Sequence, residues 1–233
     1  VSNTAPTHVL TLPVAGTDLV ARGDRTLFWP DRKTLLAADV HLGKDAAFRA
    51  KAVPVPLGST RSDLRRLSHA LAETGAERLV VLGDLFHGAS GMTTDTVDAV
   101  MEWREAHRSL KILLIRGNHD RNAGPFPARL DLIERAAPVR IDPFAYCHRP
   151  ETSAQGYVLC GHIHPAVKLR GPGGDQMRLP CFHRRRDALI LPAFGEFTGS
   201  HTIAPGSNET VYAVVDGDVV DVSNGGRAVE KSR

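Results

Sequence analysis

The order of apolar and polar positions changes rhythm partway along the chain. In the first half, short apolar runs alternate with longer stretches in which leucine and valine recur every three or four residues. THVLTLP, DLVARG and TLFWP predict early strands, and Thr34 to Ala38 predicts a short buried one ending at Asp39. Leu64, Leu67 and Leu71 share one face of a helix expected from about Ser59 to Thr74. RLVVLGD is the next strand. A second helix is expected from about Thr94 to His107, with Val97, Val100, Met101 and Arg104 in register, and the apolar run Ile112 to Ile115 forms a further strand. Beyond Pro138 the helical rhythm disappears. PVRID, YVLCGH, AVKLRG, QMRLPCF, DALILPAF, TVYAVVDG and DVVDVS read as short strands punctuated by Gly, Pro, Asp and Asn.

An α/β first half and a mostly β second half predict one domain over residues 1–233, with two mixed sheets packed face to face and helices outside. AVPVPLGS and RGPGGD read as surface loops. The first six or so residues and the last ten, NGGRAVEKSR, are expected to be flexible.

Composition narrows the setting. A hydrophobic share of 42% and a charged share of 24% fit a water-soluble globular chain. No apolar stretch approaches the roughly 18 residues of a membrane span, and VSNTAPTHVL lacks the basic and apolar regions of a secretory signal. Three cysteines argue against a disulfide framework and for a reducing, cytoplasmic setting. Net charge is only +3, so any nucleic-acid partner must be argued from where the charge lies.

The eleven histidines are more telling. LLAADVH delivers Asp39 and His41 just past an apolar run. LVVLGD delivers Asp84, ILLIRGNHD delivers Asn118 and His119, FAYCH delivers His148, and YVLCGHIH delivers His162 and His164. Sites in open α/β sheets form outside the carboxyl ends of strands, so five strand ends can converge. Two Asp, one Asn and four His, with His119 left over, exceed what one metal with an open position needs. They suit two divalent ions sharing a carboxylate, the arrangement that clamps a phosphoryl group in displacement. Mixed imidazole and carboxylate ligation suits transition metals such as manganese, iron or zinc, and the absence of Cys disfavours a closed structural zinc site. Residues two apart, as in Asp39-Val40-His41 and His162-Ile163-His164, are expected to point the same way off a strand end, one His of a pair serving each metal.

This ordered set, D-x-H, G-D, G-N-H-D, a single His and G-H-x-H, resembles the calcineurin-like metallophosphoesterase superfamily. The resemblance implies a four-layer αββα sandwich and two divalent metals. It implies that Asp39, His41 and His164 bind one metal, that Asn118, His148 and His162 bind the other, and that Asp84 bridges them. His119 would then be the general acid. Asp120 would either orient His119 or cap the loop. His87 departs from the common pattern, standing where an acidic or amide residue is usual; it is read either as a neighbour of the site that touches substrate or as a turn residue.

HLGK, GDLFHG, RLPCF and PAFGEFTG, between Leu35 and Ser200, are similar to the DNA-ligase-associated metallophosphoesterases, known as PdeM. That narrower resemblance implies a manganese-dependent endonuclease acting on single-stranded DNA. It also implies an association with the ligase, helicase and exonuclease of a repair gene set.

Lys44, His87, Arg116 and Arg121 are the candidate substrate contacts, with Arg49, Lys51 and the run Arg184-Arg185-Arg186 as further basic residues near the motifs. Lys44 stands out because it follows His41 closely. The expected chemistry is metal-assisted hydrolysis of a phosphodiester: a hydroxide bridging the metals attacks phosphorus in line, and His119 protonates the leaving alcohol. A phosphomonoesterase or nucleotide pyrophosphatase on the same metals, and a non-catalytic protein-binding scaffold of the same fold, are the rival readings. His8, His69, His107 and His201 are read as structural, and His183 is left open. Phe194 and Phe197 are read as anchors rather than base-stacking groups, and Cys147, Cys160 and Cys181 as small buried hydrophobes.

Overall fold

The structure is a computed structural model that describes residues 9–56, 58–170 and 175–223. The expected loose ends, His8 and most of the RGPGGD loop lie outside those residues.

The first sheet has seven strands in sequence order: β1 (Val9–Val14), β2 (Thr17–Arg22), β3 (Leu27–Trp29), β4 (Thr34–Ala37), β5 (Arg78–Val81), β6 (Lys111–Ile115) and β7 (Leu132–Arg135). The first four run antiparallel as a meander, whereas β4 to β7 are parallel. Parallel neighbours need crossovers: α1 (Lys44–Ala50) and α2 (Ser59–Thr74) lie between β4 and β5, and α3 (Thr94–Ala106) lies between β5 and β6. The one-turn α4 (Asn118–Arg121) follows β6.

Strands buried on both faces must be apolar on both faces, and β4 to β6 are. Leu35 and Ala37, Leu79 and Val81, and Ile112 and Leu114 point to the helices, packing with Leu64, Leu67 and Leu71 of α2 and Val100 and Trp103 of α3. The alternate residues Leu36, Val80 and Ile115 point to the second sheet. The α2 boundaries match those expected. On α3 the buried face is rotated from the expected register to Thr96, Ala99, Val100, Trp103 and Arg104. Arg104 is buried because its guanidinium serves the Leu130 carbonyl at 2.8 Å and the Asp131 carboxylate at 3.2 Å, a tertiary partnership that periodicity does not register.

The second half forms β8 (Val139–Ile141), β9 (Phe144–Tyr146), β10 (Tyr157–Cys160), β11 (Pro165–Arg170), β12 (Gln176–Arg184), β13 (Ala188–Ile190), β14 (His201–Thr202), β15 (Thr210–Val215) and β16 (Asp218–Asp221). They make a nine-stranded sheet in the order β14-β11-β12-β13-β10-β9-β8, with β15 and β16 branching from β12. Its inward side chains, among them Phe144, Tyr146, Leu159, Phe182 and Leu189, close on the first sheet. Its outward side carries a smaller cluster including Cys147, Val158, Cys160 and Ile190, joined by no helical residue among those described. Two mixed sheets face to face, with few flanking helices, are the expected sandwich. None of these helices is long and apolar enough to cross a membrane.

Candidate metal centre

The parallel pairing of β4 and β5 continues past the last strand residue. Asp39 N–H donates to Gly83 O at 3.1 Å, His41 N–H to Asp84 O at 2.9 Å, Leu42 N–H to Leu85 O at 2.8 Å and His87 N–H to Leu42 O at 3.1 Å. The DVH and GDLFH segments are thus zipped side by side. A second zip adds PAFGEFTG: Phe194 N–H donates to Ala38 O and Gly195 N–H to Asp39 O.

Backbone strain is concentrated here. Asp39, His41, Asp84, His162 and His164 all have positive φ, between 50° and 70°. Non-glycine residues hold such left-handed conformations only where their surroundings impose them, and they gather at functional sites. This corrects the expected origin of the Asp39/His41 and His162/His164 geometry. The side chains are aimed by left-handed turns, not by the pleat of an extended strand. The motif glycines have a steric reason. A Cβ on Gly117 would meet Asp84 Oδ1 at 2.1 Å, and one on Gly161 would meet Asp39 Oδ2 at 2.4 Å.

Two sets of donor atoms result, each within 4.8 Å across: Asp39, His41 and His164, and Asp84, His148 and His162. His162 and His164 do fall in different sets. Asn118 joins the second set, with Oδ1 3.0 Å from His148 Nε2. Asp84 lies between the sets, its Oδ2 being 3.8 Å from His41 Nε2 and 3.5 Å from His148 Nε2. All seven residues expected as ligands therefore meet at one point.

The donors are oriented for a cation. His148 Nδ1 lies 3.0 Å from the Leu82 carbonyl and His164 Nδ1 lies 2.9 Å from the Gly199 carbonyl. Each carbonyl holds its ring's proton on Nδ1 and turns Nε2 toward the centre, the arrangement by which neighbours orient metal-binding histidines. His148 Nε2 then faces Asn118 Oδ1, Asp84 Oδ2 and, at 3.0 Å, His162 Nδ1. In the first set, His41 Nε2 is buried with no hydrogen-bond partner, and Asp39 Oδ1 is buried against the His164 ring, with Nε2 at 3.3 Å. A buried polar atom is rarely left as His41 Nε2 is, and a divalent ion among these atoms would complete the set. This nitrogen and oxygen donor set fits manganese, iron or zinc.

Burial, followed by the positive Lys44, drives the His41 imidazole well below its ordinary range. His162 is lowered by burial and then by its neighbour His148. Burial pulls His164 down too, but the Asp39 carboxylate outweighs it and leaves the ring above its ordinary value. Basic forms that ligate are thus favoured at His41 and His162.

A third set joins His41 to His87 and His119. His87 Nδ1 is 3.1 Å from His41 Nδ1, and its ring stacks on His119 at 4.7 Å between centroids. Burial and the charge of Lys44 lower His87 to about 4, so it is neutral at physiological pH. His87 is a half-buried member of the site rather than a bystander in a turn. The His119 amide donates to Asp84 Oδ1 at 2.9 Å, and its Nδ1 lies 3.4 Å from the His87 carbonyl, which leaves Nε2 to exchange a proton. Asp120 does not touch the His119 ring. Its carboxylate accepts the amides of Asp84 and Gly117 at 2.8 and 2.9 Å, capping the loop.

The remaining candidates separate clearly. Lys44 opens α1 beside the site; burial lowers its ammonium, while Asp39 and Asp84 pull the other way. Arg116 pairs with Glu134 at 3.2 Å, and Arg121 is exposed on α4; both line a cleft beside Asn118 and His148. The Arg184 to Arg186 run is remote. Because β13 runs parallel to β10, Ala188 sits level with Val158, at the start of β10, whereas His162 and His164 follow its end. His183 is a buried partner of Glu209 at 2.8 Å. Phe194 is fully buried beneath Arg66, and the three cysteine thiols are buried, with pKa values raised by that burial. Sequence reasoning missed Arg149, which also lines the cleft, although its place directly after His148 was a signal. It also missed the roles of the Leu82 and Gly199 carbonyls, for which a backbone atom leaves no signal.

Comparison with known proteins agrees with this geometry. The model of the calcineurin-like phosphoesterase family matches residues 32–189. Among solved structures, the nuclease MPE of Pseudomonas putida is similar at a TM-score of 0.82 and 40% identity, over 92% of this chain and 100% of that one. Yfce, a phosphoesterase from E. coli, aligns at a TM-score of 0.38 and 16% identity, over 78% of this chain and 88% of its own. No curated protein matches. With the family model spanning more than half its length and a solved relative matched along its whole chain, the protein belongs to the calcineurin-like phosphoesterase family and is a metal-dependent phosphoesterase.

Proposed function

We propose that the protein is a phosphodiesterase with two divalent metals that cuts single-stranded DNA internally, with manganese as its working ion, in cytoplasmic DNA repair alongside a ligase, helicase and exonuclease. The observation that carries the two-metal part is the position of Asp84, within 4 Å of an imidazole nitrogen in each donor set. Asp39, His41 and His164 hold one ion, Asn118, His148 and His162 hold the other, and Asp84 is common to both. The ions supply charge neutralisation at the phosphoryl oxygens and a more acidic water. The DNA part is supported by the 40% identity to a nuclease over almost the whole chain and by the HLGK and PAFGEFTG segments.

His119 presents Nε2 toward the leaving oxygen and gives it a proton, since its Nδ1 is turned to the His87 carbonyl. His87 stacks on that ring and limits its rotation. Neutral His87 and the ammonium of Lys44 donate hydrogen bonds to the substrate phosphate. No side chain needs to form a covalent bond to phosphorus.

The test uses circular single-stranded DNA, which only an internal cut can linearise. Manganese added to metal-stripped protein should linearise it, and Asp84→Ala should not. An intact circle beside rapid hydrolysis of a simple monoester would discard the DNA assignment and keep the metal centre.

A further inference from the structure

The cleft beside Asn118 and His148 has a volume of about 170 Å³. Its charged lining is Arg116, Arg121, Arg149 and Glu151. Arg116 is committed to Glu134. Arg121 and Arg149 are exposed and have no carboxylate or other side-chain partner among the described residues. Apart from the His148 imidazole, which belongs to the second donor set, no aromatic ring lines the cleft, so it lacks the Phe, Tyr or Trp platform on which bases stack. It does offer two unpaired guanidinium groups, whose planar donor forks match phosphate oxygens. It contains His148 and Asn118 of the second donor set but none of His41, His87 and His119. It is therefore contiguous with the metal centre yet separate from the place where His119 delivers its proton.

We propose that this cleft is a second phosphate subsite, in which Arg121 and Arg149 hold a phosphodiester of the strand next to the one being cut. The inference rests on the phosphodiesterase reading above and adds to it a direction for the strand, from the metal pair out past Asn118 and His148. Phosphate contacts of this kind position a strand without reading its sequence, so the subsite predicts a preference for length, not for base. Glu151, on the same lining, opposes the phosphate charge and sets an upper limit on the affinity.

The test is fluorescence anisotropy of a labelled oligothymidylate with metal-stripped protein, so that nothing is cut, across a salt series. Arg121→Ala with Arg149→Ala should weaken binding about tenfold or more. It should also flatten the slope of log affinity against log salt by about 0.7 for each arginine. Glu151→Gln should tighten binding. With manganese restored, the double variant should melt as wild type does and cut single-stranded DNA correspondingly more slowly, while Arg149→Ala alone keeps turnover of a small diester such as bis-p-nitrophenyl phosphate within about twofold of wild type. The unchanged melting shows that the double variant is folded. Unchanged DNA binding and slope in a protein that still cuts DNA would overturn the subsite and leave the proposed function standing. Loss of small-diester turnover in Arg149→Ala would overturn it too, by assigning that arginine to the metal centre. Wild-type protein that neither binds nor cuts single strands while turning over the small diester would remove the DNA reading itself, and the subsite with it.

Discussion

The two donor sets of the centre are built from similar residues yet stand in different physical situations. In the second set, His148 Nε2 is in contact with Asn118 and His162, and one proton on the His162 ring can satisfy the pair when no ion is bound. In the first set, His41 Nε2 has no hydrogen-bond partner, and Asp39 Oδ1 meets the His164 ring, whose Nε2 lies 3.3 Å away. Each set has two buried residues and one half-buried one, but only the second borders the arginine cleft. The difference teaches that the first set depends on a cation to offset buried polarity, and that the second set is where the substrate has room to continue.

The largest effect should come from removing the residue that the two sets share. Asp84→Ala deprives both sets of a carboxylate and the His119 amide of its acceptor. Turnover of a small phosphodiester should fall by about 10³-fold or more, with metal content reduced when measured by elemental analysis. Retained turnover would break the two-metal account.

Next comes the division of labour around the first set. His119→Ala should slow the chemical step about 10²-fold or more while metal content stays at the wild-type level. Loss of metal with it would make His119 a ligand and dissolve the boundary between the sets.

The comparison itself is sharpened by melting curves. Saturating manganese should raise the wild-type melting temperature by about 5–10 °C, the shift expected for some 100-fold excess over Kd in a chain of this size. Asp39→Asn should lose most of the manganese-induced rise, because it takes the only carboxylate from Asp39, His41 and His164. Asn118→Ala should keep more of that rise. A reversed order would place the dependence on metal in the second set.

The smallest effect reaches the first set from a distance. The PAFGEFTG segment, which supplies the Gly195 amide to Asp39 O and the Gly199 carbonyl to His164, is tied down by Asp63, whose Oδ1 accepts the Glu196 amide at 3.2 Å. Burial lifts the Asp63 carboxyl to about 7 against the pull of Arg66. A folded-state pKa above the unfolded value of 3.8 means that the native state retains a proton which the unfolded chain has released. The contribution is therefore full below pH 3.8 and is lost as pH rises to about 7, by no more than about 1.4 kcal/mol per pH unit. Denaturant unfolding at pH 5 and pH 7.5 should show that decline in wild type and a flatter profile in Asp63→Asn. An identical decline in both would assign it to other groups.

Much of this protein is legible in one dimension because the relevant physics is local. Apolar runs bounded by Gly-Asp and Gly-Asn declare β5 and β6, and three leucines at helical spacing declare α2 with its ends. The type and order of the donor residues sufficed to expect two metals. Elements too short to show a period were not legible: the seven-residue α1, and β7 with its alternating half-exposed side chains. What only the tertiary structure decided are relations between residues far apart in the chain. The His162 amide donates to Asp39 Oδ2 across 123 positions, and the fold brings His87 against His41 across 46. The parallel pairing of β10 with β13 sends the Arg184 to Arg186 run to the far end of the sheet, while the loop after His148 turns Arg149 into the cleft. Residue identity determines what an atom can donate or accept. Which atoms meet, and which are left without a partner until an ion arrives, depends on strand order and on the left-handed turns at the strand ends.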